Sequence, residues 1–575
     1  MYSASGARWV LRETDADLPL MSQVLGISLQ AARVMANRDI RSKNAALAFL
    51  HPSLDKLRPF SQMKDAHAAL VRISYAIACG EKVTVYGDYD ADGITSTAIL
   101  YKVLKRLGAN VSYYIPHRVK EGYGLNKNAI TSLAYDGTKL IITVDSGISA
   151  IEEVALANSL GMDTVIIDHH EQGDELPKAV AIVDPKQRDC PYPFKGMCAG
   201  GLTYKLAGAL CGHLGVPFEE QAEALVLAAI ATICDIVPLK DENRILAKCG
   251  MAALNENKLI NPGLGSLLTI RGYLEKPVDT FSVGFVIGPC INAAGRLDHA
   301  EKAVELLLSP VEEVGQRMAL AHDLIALNDE RKQLTADCVD RLLAGLPRDM
   351  DKVLVICDTD IHESIAGIVA GRIKEHTGRP TIVLTHGDGA MKGSGRSAAC
   401  YNMFEALHAN RALFERFGGH AMAAGLTILE ENIPLLREAL NRDCTLTDED
   451  FCPVTDIDEA LPLTDVTLPF ANELATLAPF GSGNYEPLFL SRRVPVESVR
   501  VLNEKNTLIF TFRNDKGLRV KGIAFGLNEA YEKAVADAGV SAGGGFAMDV
   551  VYAIETNTFN GVTSVQMRVR DFMVG

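Results

Sequence analysis

The sequence predicts an α/β protein of several lobes, and three patterns carry that prediction. From Val83 onward short apolar segments alternate with amphipathic ones, as in a mostly parallel sheet covered on both faces. An apolar repeat of helical spacing then runs from Ser309 to Leu342, far longer than an ordinary globular helix. Beyond residue 466 the segments TLIFTFR and FAMDVVYAIE alternate over short runs, as in a small antiparallel barrel. At 575 residues the chain exceeds what one core supports. The expected division is an N-terminal helical segment over 1–80, a parallel-sheet lobe over 81–308 and a connecting helix over 309–346. A second α/β lobe over 347–442, an acidic linker over 443–465 and a barrel over 466–575 follow.

Composition narrows the function. Hydrophobic content of 48% with 22% charged residues is that of a globular protein, and a net charge of −15 excludes general adhesion to nucleic acid or anionic membrane. Contact with nucleic acid must therefore come from local basic patches. Twelve cysteines, the closest pairs eight apart, form neither a C-x-x-C zinc signature nor a disulfide framework, which fits a reducing, cytoplasmic setting. The start MYSASGARWVL lacks the charged and apolar regions of a signal peptide. The longest apolar run, Ala224 to Cys234, is far short of the roughly 20 residues that span a bilayer.

Taken in order, residues 1–80 are polar and helical in character. Strands are expected at Val83–Tyr86, Val111–Ile115, Leu140–Val144 and Thr164–Ile167, with helices at Ile94–Leu107 and Ile151–Leu160. Sites in such sheets lie at the carboxyl ends of the strands. The first exit, GDYDADG, carries Asp88, Asp90 and Asp92 at every second position; the next, VDSG, carries Asp145; TVIIDHH carries Asp168, His169 and His170. Carboxylates so close repel one another unless a cation sits among them, and hard divalent ions are the usual answer. Asp235 ends the apolar helix AEALVLAAIATICDIVPL, where a buried carboxylate is costly unless paired or bound to metal. It is a candidate closing ligand.

These motifs, in this order, resemble the DHH phosphoesterase superfamily, and within it the exonucleases of single-stranded DNA. The resemblance continues through PHRVKEGYGLN, NAAGR, GSGRS and FGGHAMAAG and covers most of the chain. It implies a metal-dependent 5′-to-3′ exonuclease of single-stranded DNA acting in recombination and repair. Two divalent cations, Mn²⁺ or Mg²⁺, are implied as cofactors. Asp145 would bridge them, with Asp88 and Asp90 on one side and Asp92, His169 and Asp235 on the other; Asp145, His169 and His170 form the catalytic set, His170 either behind the ligands or at the scissile phosphate. Implied substrate contacts are His117, Arg118, Tyr123, Asn292, Arg296, Ser394, Arg396, Gly418, Gly419 and His420. Implied partners are single-stranded DNA, with a single-strand-binding protein and a helicase to deliver it, and no membrane. Rival readings are a phosphoesterase of pyrophosphate, oligoribonucleotides or cyclic dinucleotides, and an inactive DNA-binding scaffold.

Downstream, Ser309-Pro310-Val311-Glu312 has the pattern of a helix start, and the connecting helix from there would extend about 50 Å. In the second lobe, called DHHA1 in the family that it resembles, strands Val353–Cys357 and Thr381–Leu384 flank a helix from Ser364 to His376. Glycines in GSGRS and FGGH let backbone N–H groups approach a phosphate, which Arg396 can grip and His420 can reach. The barrel is expected to be OB-like. Its turns fall at Asn514–Gly517 and at Asn560-Gly561, and Pro487 to Gly522 holds eight cations against three acids with Phe510 and Phe512 among them. Such a face suits single strands, bases on rings and cations on phosphates.

Overall fold

The computed structural model describes residues 3–387, 389–514 and 516–575. These residues form two compact units, one built from 52–446 and the other from 1–51 with 447–575. The N-terminal segment therefore does not stand alone. Strand β1 (Arg8–Leu11) and helices α1 (Leu18–Leu25), α2 (Leu29–Ala36) and α3 (Lys43–Leu50) belong with the C-terminal part, whereas α4 (Ala66–Ala78) belongs with the parallel sheet.

That sheet holds five parallel strands in the order β3-β2-β4-β5-β6: β2 (Lys82–Tyr86), β3 (Asn110–Tyr114), β4 (Leu140–Val144), β5 (Asp163–Ile167) and β6 (Ala181–Val183). The first four match the expected strands to within a residue; β6 is an addition. Helices α5 (Ala91–Arg106), α6 (Lys127–Tyr135), α7 (Ile151–Ser159) and α8 (Ala199–His213) cover it. Val83, Val85, Ile142 and Val165 pack toward α4 and α8, while Tyr86, Ile141 and Ile166 pack toward α6 and α7. Burial on both faces explains why these strands read as continuous apolar runs.

A helical layer follows: α9 (Gln221–Cys234), α10 (Asp241–Glu256), α11 (Pro262–Ile270), α12 (Thr280–Ser282), a π-turn at Val283–Ile287, α13 (Gly288–Leu297) and α14 (Glu301–Leu308). The connecting helix, α15, spans Val314–Gly345 and starts four residues later than the Ser-Pro pattern suggests. Ser309 instead ends α14, its hydroxyl donating to the Glu305 carbonyl at 2.8 Å. Buried Arg317 pins the intervening turn by donating to the carbonyls of Pro310 and Val311. Thirty-two residues at 1.5 Å each give about 48 Å. Its first half buries Ala321, Leu324 and Ile325 in the first lobe, and its second half buries Val339 in the next.

The second lobe comprises β7 (Leu354–Cys357), α16 (Glu363–Thr377), β8 (Thr381–His386), β9 (Met391–Arg396), α17 (Met403–Ala409), β10 (Phe414–His420), β11 (Ala423–Ile428) and α18 (Ile433–Asp443). Its sheet order is β10-β11-β9-β8-β7, parallel only between β7 and β8.

In the other unit, β12 (Val454–Ile457) pairs in parallel with β1, and β13 (Glu459–Ala460) with the barrel. Asp458 between them is buried and accepts from Arg38 at 3.0 Å. Much of the expected acidic linker is thus fixed structure, because strand pairing and a buried cation take up its polar groups. After α19 (Leu468–Thr476), strands β14 (Phe489–Leu502), β15 (Thr507–Arg513), β16 (Arg519–Phe525), β17 (Phe546–Phe559) and β18 (Val562–Val574) close a five-stranded barrel through the β14–β17 pair. Helix α20 (Asn528–Ala538) lies between β16 and β17 in sequence, and β16–β18 is the barrel's one parallel ladder among the described residues. The Asn560-Gly561 turn has positive φ at both residues, as a tight hairpin requires. Asp515 of the expected Asn514–Gly517 turn lies outside the described residues. Phe510 and Phe512 point inward and are fully buried, so they are core; Arg492, Arg493, Arg513, Arg519 and Lys521 are exposed, as is Phe525. No helix among the described residues is long and apolar enough to cross a membrane.

Candidate metal centre and substrate cleft

The turn after β2 re-enters as α5 with Asp90 as its N-cap, one carboxylate oxygen accepting from the N–H groups of Asp92 (2.9 Å) and Gly93 (3.1 Å). Gly93 makes the turn possible, since a Cβ there would lie 2.6 Å from the backbone of Asp88. Asp92 accepts from the N–H groups of Ala199 (2.9 Å) and Gly200 (2.6 Å), free donors at the start of α8. Asp145 leaves β4 at φ 65°, and its carboxylate lies 3.1 Å from His169 Nε2 at the exit of β5. Asp92 and Asp235, the latter just past α9, bring oxygens to 3.7 and 3.8 Å of the same nitrogen.

Two triads result. Ligand atoms of Asp88, Asp90 and Asp145 lie within 4.8 Å of one another, and so do those of Asp92, His169 and Asp235; Asp145, His169 and His170 form a third such group. Burial and then Asp90 push Asp88 well above the ordinary carboxylate range and Asp92 to about 7. Burial and then Asp92 raise Asp145 well above that range and Asp235 to about 8. His169 falls to about 3 through burial and the neighbouring His170, so its nitrogen is a neutral donor. His170 behaves oppositely: burial lowers it, but its 2.7 Å bond to Asp168 outweighs this and lifts it to about 9. Burial pushes Asp168 up, yet that bond and the N–H of Ile148 together hold it below its usual value. Asp88 Oδ1 is buried with no hydrogen-bond partner among the described residues. Crowded carboxylates, an orphaned oxygen and a neutral imidazole fit divalent cations such as Mn²⁺ or Mg²⁺.

Beside the triads a cavity of about 320 Å³ is walled by both lobes, Tyr89, Arg118 and Tyr123 on one side and Ser364, Lys392 and Ser394 on the other. Arg118 lies 4.6 Å over the Tyr89 ring. Arg296 donates to the Ser364 carbonyl at 2.7 Å and so spans the cleft. Burial, then Arg118, Arg331 and Arg396, lower Arg296 to about 9; burial and Arg118 also lower Arg396. Among the described residues no carboxylate pairs with Arg118, Arg296 or Arg396.

Three family models match the chain: the DHH family N-terminal domain over residues 82–231, the DHHA1 domain over 350–445 and the RecJ OB domain over 457–571. The single-stranded-DNA-specific exonuclease RecJ of Bacillus subtilis (strain 168) is 37% identical over 99% of this chain and 71% of its own length. That of Escherichia coli (strain K12) is 33% identical over 97% of each chain. This chain belongs to the RecJ family. The crystal structure of RecJ from Thermus thermophilus in complex with Mn²⁺ superposes with a TM-score of 0.82 at 29% identity, covering 98% of this chain and 79% of that one.

Within this RecJ-family chain the expected site residues fall into three groups. Asp88, Asp90, Asp92, Asp145, His169, His170 and Asp235 meet at the strand ends. Arg118, Tyr123 and Ser394 line the cleft, Arg296 bridges it to Ser364, Asn292 lies one helical turn before Arg296 on α13, and Arg396 follows Ser394 on β9. Tyr123 donates its hydroxyl to the Asp145 carbonyl at 2.9 Å, and Asn292 Oδ1 accepts from the Ala91 N–H at 2.7 Å, steadying the aspartate turn. Ser394 and Arg396 share one face of β9, and the Arg396 guanidinium fills space that a side chain at Gly367 would take. His117 instead caps its own turn, its Nδ1 accepting from the N–H groups of Val119 and Lys120. Gly418, Gly419 and His420 sit exposed on edge strand β10, with His420 in register with Ala423 and, beyond it, Arg396. Two features had no local signal in the chain. One is the Ala199 and Gly200 cradle, which lies 107 and 108 residues from Asp92. The other is Asp184, buried at the exit of β6 with one oxygen unpartnered among the described residues.

Proposed function

We propose that this protein is an exonuclease that hydrolyses phosphodiester bonds of single-stranded DNA from the 5′ end with two divalent cations, Mn²⁺ or Mg²⁺. It releases 5′-mononucleotides and serves recombination and repair in the cytoplasm, with a single-strand-binding protein and a helicase as partners. The observation that carries this reading is two acidic triads beside three arginines that lack carboxylate partners among the described residues. Asp88, Asp90 and Asp145 would hold one cation and Asp92, His169 and Asp235 the other, with Asp145 placed to serve both. Cations held by these residues would supply Lewis-acid polarisation of the phosphate and activation of a water nucleophile. His169 offers a neutral lone pair, whereas protonated His170, held by Asp168, presents a positive charge toward a phosphate oxygen. Arg118, Arg296 and Arg396 grip the terminal phosphate, and the polarity follows from the family resemblance. A cleft spanned by one arginine is too narrow for a duplex but admits one strand. Exposed cations on the barrel track the phosphates farther along, with Phe525 in place of the buried Phe510 and Phe512 as the base platform.

The test is incubation with Mn²⁺ and end-labelled single-stranded DNA, duplex DNA or pyrophosphate. Rapid loss of the single strand alone is expected. Preferential turnover of pyrophosphate would overturn the reading.

A further inference from the structure

On the Arg296 side of the bridge to Ser364 lies a second cavity, of about 730 Å³, whose lining other than Arg296 and Asn292 has no part in the steps above. Its polar lining inverts the charge of the chain: Arg296, Arg331, Lys332 and Arg372 face one acid, Asp340. Arg331 donates to the Asn328 side chain at 2.9 Å, and among the described residues no carboxylate pairs with it. Lys332 lies 3.7 Å from Asp329 within α15 and Arg372 3.1 Å from Glu375 within α16, both solvent-exposed contacts between residues three apart, which count for little. The opposite wall is apolar. Phe285, 62% exposed, stacks on Phe281, 59% exposed, with centroids 4.8 Å apart and planes 25° from parallel. Ile236, 72% exposed, follows Asp235 directly. Leaving such side chains in water forgoes the gain of burying them, and an aromatic face beside cations suits a planar ring that carries an anion.

We infer that this cavity binds a nucleoside 5′-monophosphate, its base against Phe285 and its phosphate on Lys332 and Arg372. The volume falls in the range of about 300 to 1,000 Å³ typical of small-molecule sites. Calling this nucleotide the product rests on the proposed exonuclease reading; the binding site itself does not. The shared Arg296 couples the two compartments, so a nucleotide held here slows the next turnover. The same chemistry serves a nucleotide just released and one arriving from solution.

The experiment titrates deoxyadenosine 5′-monophosphate into the full-length protein by calorimetry. Wild type is compared with Phe285→Ala, Lys332→Ala and the Lys332→Ala/Arg372→Ala double variant, all changed at exposed positions. The double variant is expected to bind at least tenfold more weakly, and Phe285→Ala severalfold more weakly. Initial rates on a labelled oligonucleotide should stay within twofold of wild type, while inhibition by added nucleotide weakens in step with binding. If inhibition appears only with added nucleotide, the source is solution; if late-stage slowing without additions is also relieved, the released product occupies the site. Unchanged nucleotide affinity in the double variant overturns the inference, as does an equal loss of affinity for a 20-nucleotide strand. Absence of exonuclease activity would instead refute the proposed function, with the calorimetric comparison still deciding this site.

Discussion

Asp145 leaves β4 in the left-handed region, where a non-glycine residue costs roughly 1 to 2 kcal/mol, and does so at the point where both acidic triads meet. Asn tolerates that backbone, so Asp145→Asn removes the charge with the turn retained. We expect both Asp145→Asn and Asp145→Ala to lower kcat more than a hundredfold, about 2.7 kcal/mol in the barrier; a smaller loss in single-turnover assays would remove Asp145 from the shared position. Arg396→Ala is expected to lose about 1.5 to 3 kcal/mol of preference for a 5′-phosphorylated over a 5′-hydroxyl end. Equal discrimination by variant and wild type would exclude Arg396 as the end reader. Asp184 supplies a pH test. Burial raises its carboxyl to about 7, against about 3.9 in the unfolded chain. Its contribution to stability is therefore fully present below about pH 4 and lost as pH rises through about 7. Asp184→Asn, which does not titrate, should gain on the order of 2 kcal/mol over wild type in urea unfolding at pH 8.5 and little at pH 4.5. The same gain at both pH values would show that burial of the charge is not the cause.

Among the elements, the turn between β2 and α5 does not tolerate a side chain at Gly93, because a Cβ there would lie 2.6 Å from the Asp88 backbone. Gly93→Ala should displace the Asp88 and Asp90 carboxylates and cut activity at least as severely as loss of one of them, measured beside metal affinity by calorimetry. Wild-type metal affinity in that variant would contradict the steric argument. Legibility at this scale followed the reach of each signal. Strand exits could be read because period-two alternation and an abrupt change to helical spacing are local. The start of α15 could not, since Ser309-Pro310 suits either the end of one helix or the start of the next, and Arg317 decides it through contacts made only after folding. The alternation of Phe510 and Phe512 with Thr511 indicated a shared face but not whether that face was core or surface; barrel closure put it inside. The hold of α8 on Asp92 spans more than a hundred residues and had no local trace.

For the whole molecule, helices α1 to α3 share a core with the barrel through Met21, Met35 and Phe49. A truncation that removes only 466–575 would therefore expose the faces of those helices, whereas residues 52–446 form a unit with its own cores. The 52–446 fragment is expected to cleave very short oligonucleotides nearly as well as the full chain. It should bind long strands more weakly, with a shallower fall of affinity with salt, because fewer phosphates release counterions. An unchanged salt slope in the folded fragment would remove the barrel from strand binding. Turnover as proposed depends on a strand end being gripped while the adjoining phosphodiester meets the acidic triads. The direct measurement is a time course in Mn²⁺ on one sequence, prepared as a 5′-labelled linear strand, a 3′-labelled linear strand and a closed single-stranded circle. Label should leave the 5′-labelled strand first as a mononucleotide, the 3′ label should persist in shortening fragments, and the circle should remain intact; cutting of the circle at the rate of the linear strand would contradict it.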